Sequence, residues 1–198
     1  MNKIMLCIMF LGISISAATL NVQDVIWTNP VYVSIDGNTL TGQTNNSWSA
    51  GAFSVQKIDA GIDGYFEMTA LETNTYRMAG FSRTDVNSSY NSIEYALYLN
   101  QNSNLYIYES GSYIGNFGAY QSGDLVRVAR EGTQIKYYHN NSHIYTSTKT
   151  TSEALYADSS LYTLNSTIYN AKISSVPEPS SLGVLLFSAL LFFCFRKK

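Results

Sequence analysis

Cysteine is almost missing from this chain. Of its 198 residues only Cys7 and Cys194 are cysteines, and each lies inside a terminal apolar run. The body between them therefore has no disulfide framework, no cysteine-based metal site and no thiol nucleophile. Proline is scarce as well: Pro30 stands alone in the body, with Pro177 and Pro179 close to the end. Charged residues make up only 13%. Setting aside Lys3, Glu178, Arg196, Lys197 and Lys198, the stretch 19–175 carries eight basic and thirteen acidic side chains, with no basic stripe. A net charge near −5 without such a stripe argues against nucleic acid as a partner. No window shows an apolar period of 3.6 with helix caps, so a helical body is not expected.

Tyrosine is what the body has instead. Sixteen tyrosines, with many threonines and serines, suit pleated and half-buried strands. Turn signals recur every eight to twelve residues, the spacing of an all-β sandwich or barrel. Strands are predicted at 31–35, 51–58, 65–70, 76–82, 93–99, 105–109, 125–130, 133–139, 142–147 and 166–173. Residues 19–175 are enough for one domain with its own core.

The meander 125–147 allows a prediction of register. Glu131-Gly132 and Asn140-Asn141 read as two-residue hairpin loops that tolerate positive φ. Tight loops there would set Val128 against Ile135, Val126 against Tyr137 and Tyr137 against Ile144. One face is then core: Val126, Val128, Ile135, Tyr137 and Ile144. The other carries Arg127, Lys136, Tyr138, His143 and Tyr145, a candidate carbohydrate-binding surface. A second candidate is the tyrosine side of strand 105–109, Tyr106 and Tyr108, joined by Tyr98 across the turn at 100–104. Tyrosine offers a sugar ring an apolar face with a polar tip. The bland alternative is an outer sheet face that binds nothing.

Catalytic and metal patterns are weak. A retaining glycosidase needs two carboxyl groups about 5–5.5 Å apart. Glu67 and Glu72 are five residues apart, Glu94 stands alone, and no Glu-x-Asp-x-Glu occurs. No catalytic residue is assigned, and the chain is not expected to be an enzyme. His139 and His143 would diverge in the hairpin and share no metal. No cofactor is expected. If a calcium ion were bound, the oxygen-rich loops Asp36-Gly37-Asn38 and Asp85-Val86-Asn87 would be its place, although Asp and Asn are also ordinary turn residues.

The two ends are the greasy parts. Residues 1–18 read as a secretory signal peptide: Lys3, an apolar run from Ile4 to Ile13, then Ser14 to Ala18, with cleavage after Ala18 or Ala17. An uncleaved anchor is the alternative. The other end, residues 176–198, has three parts in order. Val176-Pro177-Glu178-Pro179 comes first, then an apolar stretch at about 180–195, then Arg196-Lys197-Lys198. The prolines keep the first part extended and open to an enzyme. The apolar stretch would form about 24 Å of helix at ~1.5 Å per residue, a marginal transmembrane span. The basic cluster would stay on the cytoplasmic side.

This tail resembles the bacterial PEP-CTERM sorting signal. The resemblance implies export through the general secretion machinery and signal peptidase. It also implies recognition of Val176, Pro177, Glu178 and Pro179 by an exosortase, and a brief stay in the inner membrane. The destination is then the cell surface or the exopolysaccharide and biofilm matrix outside it.

The body carries an ordered set of segments: Trp48-Ser49-Ala50-Gly51-Ala52-Phe53-Ser54, Asp63-Gly64-Tyr65-Phe66-Glu67, Ser122-Gly123-Asp124, Ile135-Lys136-Tyr137-Tyr138 and Ile144-Tyr145-Thr146-Ser147. The set resembles bacterial surface domains related to the concanavalin A-like lectin/glucanase jelly rolls. It implies two packed antiparallel sheets. The expectation is an all-β jelly-roll sandwich at 19–175 that holds extracellular polysaccharide. A structural or adhesive surface protein without a small ligand is the alternative, and an exported glycoside hydrolase is the remote one.

Overall fold

The computed structural model describes residues 21–175. The expected signal peptide, the Val-Pro-Glu-Pro motif, the membrane helix and the basic tail lie outside the described residues. Among those described, no helix is long and apolar enough to cross a membrane.

Fifteen strands are found among the described residues. The first four are β1 (Asn21–Asp24), β2 (Trp27–Val31), β3 (Val33–Asp36) and β4 (Thr39–Gly42). Then come β5 (Gly51–Ile58), β6 (Gly64–Thr69), β7 (Arg77–Ser82), β8 (Tyr95–Leu99), β9 (Asn104–Glu109) and β10 (Ser112–Ala119). The last are β11 (Leu125–Glu131), β12 (Gln134–His139), β13 (Ser142–Thr150), β14 (Leu155–Leu161) and β15 (Thr167–Ser175). A 3₁₀ turn, Tyr90–Ser92, interrupts the link from β7 to β8.

The strands form two antiparallel sheets. One has eight strands, in the order β13-β12-β11-β6-β15-β4-β3, with β1 also on β15. The other has seven, in the order β10-β9-β8-β7-β14-β5-β2. Alternation decides which side of each strand is buried. Phe66 and Met68 on β6, Val126 and Val128 on β11, and Ile135 and Tyr137 on β12 face Leu97, Leu99, Leu105 and Ile107 of the other sheet in one continuous core. Fully burying each such side chain contributes about 1.5–3 kcal/mol.

Two strands are buried on both sides almost throughout. All six residues of β7 are buried, and six of the seven in β14. Their outer sides are covered by the segment 83–94, whose Ser88 carbonyl accepts a 2.7 Å bond from Ser160 Oγ. Gly80 of β7 is required by close strand approach. A Cβ there would lie 1.9 Å from the Tyr95 carbonyl oxygen.

The meander differs from expectation in two places. The first loop is Gly132-Thr133, not Glu131-Gly132, because Glu131 stays in the ladder opposite Gln134. Positive φ falls on Gly132 alone (62°). Val128 therefore faces Tyr137 and Val126 faces His139. Moving the loop by one residue shifts the partners by two, so the faces survive. The second loop is Asn140-Asn141 as expected, with φ of 49° and 63°. Beyond it β13 bulges: Tyr138 pairs with His143, but Tyr137 pairs with Tyr145 rather than Ile144. A bulge inserts one residue and turns those after it to the other side.

Candidate functional site

The outward face of the seven-stranded sheet is aromatic. Direct pairing sets Tyr106 opposite Tyr98, Tyr98 opposite Met78 and Met78 opposite Ser160, while Tyr108 lies opposite Ala96. Three of the predicted binding residues, Tyr98, Tyr106 and Tyr108, are thus brought together. Their neighbours Leu97, Leu105 and Ile107 point into the core.

Loops and the edge strand extend this group. Trp48, from the loop before β5, lies with its ring centroid 5.7 Å from Tyr98, 5.2 Å from Tyr90 and 5.2 Å from Tyr162. Tyr76 is 5.7 Å from Tyr162. On the other side Tyr98 reaches Tyr108 at 5.5 Å, and Tyr108 reaches Tyr113 of β10 at 5.6 Å. The result is an unbroken tract of eight rings across the sheet, seated on a small second core of Met78, Ile93 and Ala96. Tyr113 is the most open, at 56% exposure. Sequence reasoning missed Trp48, Tyr76, Tyr90, Tyr113 and Tyr162. The available signal was a tryptophan set in a polar loop, Asn45-Asn46-Ser47-Trp48.

The polar tips of this tract are unused. Among the described residues, neither the Trp48 indole N–H nor any of the seven tyrosine hydroxyls has a hydrogen-bond partner, and none is buried away from water. Burial, reinforced by the hydroxyls of Tyr76, Tyr108, Tyr106 and Tyr120, pushes the Tyr98 phenol far above its ordinary value. Burial, then Tyr90, Tyr113 and Tyr106, pushes Tyr108 the same way. Both hydroxyls stay protonated, available as donors and acceptors.

The second candidate face, on the eight-stranded sheet, is satisfied internally. Arg127 lies over the Tyr65 ring at 4.3 Å and donates to Glu67 Oε2 from Nε at 2.8 Å. Lys136 Nζ is 2.6 Å from Glu131 Oε2, and the Tyr138 hydroxyl donates to the other oxygen of Glu131. Burial and then that bond push Tyr138 up to about 12. The Lys136 and Tyr138 bonds hold Glu131 below its usual value. His143 packs against Tyr138 at 5.5 Å and bonds Thr146 at 2.8 Å. A depression of about 300 Å³ lies among Asp63, Tyr65, Arg127, Glu131 and Tyr138. Tyr145 does not belong to this face: the β13 bulge turns it to the core side, 5.8 Å from Tyr137 and 5.4 Å from Phe117.

The carboxylates do not converge. Glu67 pairs with Arg127, and Glu94 with Arg83 at 2.8 Å. Glu72 is shared by Arg77, Thr75 and Thr167. His139 meets Asp124 at 2.7 Å, well apart from the Thr146 contact of His143. In the two oxygen-rich loops, Asn38 turns its amide N–H₂ toward Asp24, Asn170 and the Ala171 carbonyl, and Asp85 Oδ2 accepts from Asn29. Among the described residues, no cluster of three or more His, Cys, Asp or Glu is arranged around a common point.

No family model matches the chain, and no curated protein matches it. Among solved structures it is similar to a human SPRY domain, 10% identical over 77% of this chain and 99% of that one, with a TM-score of 0.51. It is also similar to the SPRY domain of human HERC1, 14% identical over 80% and 96%, with a TM-score of 0.50. The exoplasmic/lumenal domain of VIP36, in its Ca²⁺/Man₃GlcNAc-bound form, aligns over 81% of this chain and 84% of that one at 9% identity, with a TM-score of 0.49. At such identities the likeness shows the fold alone: a two-sheet antiparallel β-sandwich of the broad jelly-roll kind.

Proposed function

We propose that this chain is an exported, non-enzymatic surface or matrix protein whose β-sandwich holds extracellular polysaccharide on the aromatic face of its seven-stranded sheet. One observation carries the reading: a continuous tract of half-buried rings whose polar tips have no hydrogen-bond partner among the described residues. Sugar rings present apolar C–H faces and peripheral hydroxyls, which such a tract can meet with ring faces and phenol groups. The Arg127 and Tyr138 face is the weaker candidate, because its charges are already paired with one another. Glu67, Glu72 and Glu94 each sit in a separate ion pair, which favours holding a glycan over cleaving one. A change of Tyr98→Ala should abolish retention on a polysaccharide affinity gel that retards the parent. Retention left intact would end the assignment.

Placement outside the cell rests on the two ends. Residues 1–18 address the chain to the general secretion machinery and signal peptidase, and Val176-Pro177-Glu178-Pro179 with the following apolar stretch and Arg196-Lys197-Lys198 address it to an exosortase. The C-terminal apolar stretch holds the chain in the inner membrane until processing releases it to the surface. Changing Glu178→Ala should leave an unprocessed, membrane-bound chain on immunoblots of cell fractions. Normal maturation of that variant would remove the exosortase step.

A further inference from the structure

We infer that the aromatic tract takes a single, uncharged, soluble polysaccharide chain, lying across the strands. This rests on the polysaccharide-binding reading above and names the class of polymer.

Three observations argue for it. The first is extent. From Tyr162 through Trp48, Tyr98 and Tyr108 to Tyr113, successive centroids are 5.2, 5.7, 5.5 and 5.6 Å apart. That path covers several sugar rings, so a lone monosaccharide would leave most of it bare.

The second is orientation. Along the same path the ring planes meet at 48°, 73°, 81° and 62°. Rings so inclined cannot lie together on one flat crystal face. A twisted free chain, turning successive faces, can meet each in turn.

The third is charge. No lysine or arginine stands over any ring of the tract; both cation–π contacts among the described residues, Arg77 with Tyr120 and Arg127 with Tyr65, lie elsewhere. The body as a whole has thirteen acids to eight bases. A uronate or sulfated polymer would find no counter-charge there and would meet net repulsion.

The full-length protein, in non-ionic detergent, would be titrated with soluble neutral polymers (xyloglucan, glucomannan, hydroxyethyl cellulose, dextran), with polygalacturonate, and with microcrystalline cellulose. The expected result is binding to at least one soluble neutral polymer, with Kd unchanged within about twofold between about 0.05 M and about 0.5 M salt. Tyr98→Ala and the open-site Tyr113→Ala should each weaken it, Tyr98→Ala by about tenfold or more. Tyr169→Ala, a change at an exposed tyrosine of the other sheet, should not. Thermal melts matching the parent show that the variants fold. Binding to polygalacturonate that falls steeply with salt, or to the crystalline solid alone, would overturn this inference and leave the broader reading standing. Binding to no polymer of any kind would overturn that reading with it.

Discussion

Asp158 shows how much one covered side chain can matter. It stands on the outer side of β14, where a strand residue would ordinarily meet water, yet it is 2% exposed beneath the segment 83–94. Burial pushes its carboxyl up to about 7, against the pull of bonds from Ser82 Oγ (2.6 Å) and the Ser159 N–H (2.8 Å). Asp85 and Glu94 push the same way as burial. The folded state then holds this proton more tightly than the unfolded chain. Its contribution is fully present below pH ~4 and is lost as pH rises to ~7, by up to about 4 kcal/mol. Asp158→Asn cannot ionise. It should match the parent in urea melts near pH ~4 and exceed it at pH ~8 by a few kcal/mol; equal stability at both pH values would contradict the account. Arg130 is the opposite case, a fully buried cation that donates from Nε to the Ile62 carbonyl at 2.8 Å and from its other nitrogens to the carbonyls of Asp59 and Glu153. Arg130→Met would leave the Ile62 and Glu153 carbonyls without donors, the Asp59 carbonyl keeping the Ile62 N–H, and should lower stability by roughly 3 kcal/mol, measured by chemical denaturation.

At the scale of elements, the hairpin Asn140-Asn141 ties local chemistry to register. Both residues lie in the left-handed region, where asparagine is tolerated and β-branched residues are not. Asn140 Oδ1 accepts from the Leu125 N–H, while its amide nitrogen donates to Asp124. Asn141→Val should cost about 1–2 kcal/mol and Asn141→Gly almost nothing, a contrast readable in urea midpoints. This turn was legible because two adjacent asparagines leave few alternatives. The first loop was not: Glu131-Gly132 and Gly132-Thr133 are both acceptable turns, and the choice falls to Glu131, which stays in the strand and meets Lys136 and Tyr138. β6 and β9 were readable from their alternation. β14 was hidden because Asp158-Ser159-Ser160 looks like a loop until the covering segment 83–94 and the facing strands supply its partners. β10 was hidden by Gly115, Gly118 and a mostly open, bulged edge.

For the molecule as a whole, the aromatic face is neutral and its central phenols are held protonated. Polysaccharide retention should therefore be flat from about pH 5 to about pH 9, even while Asp158 changes the stability of the fold beneath. A strong change in affinity across that range, measured by titration calorimetry, would point to a charged contact instead. The sequence by itself determined the all-β class, because tyrosine, threonine and regularly spaced turns with no helical period leave a chain little choice. It also determined which of the tyrosines on β8 and β9 share a side, since strand alternation is a local property. Only the tertiary structure decided that Trp48, Tyr90 and Tyr162 join them from distant loops, that Tyr145 leaves the other face at a bulge, and that Arg127 and Lys136 are already paired. Those outcomes depend on which strands become neighbours, and long-range pairing is set by the packing of the whole sandwich, not by any window of the chain.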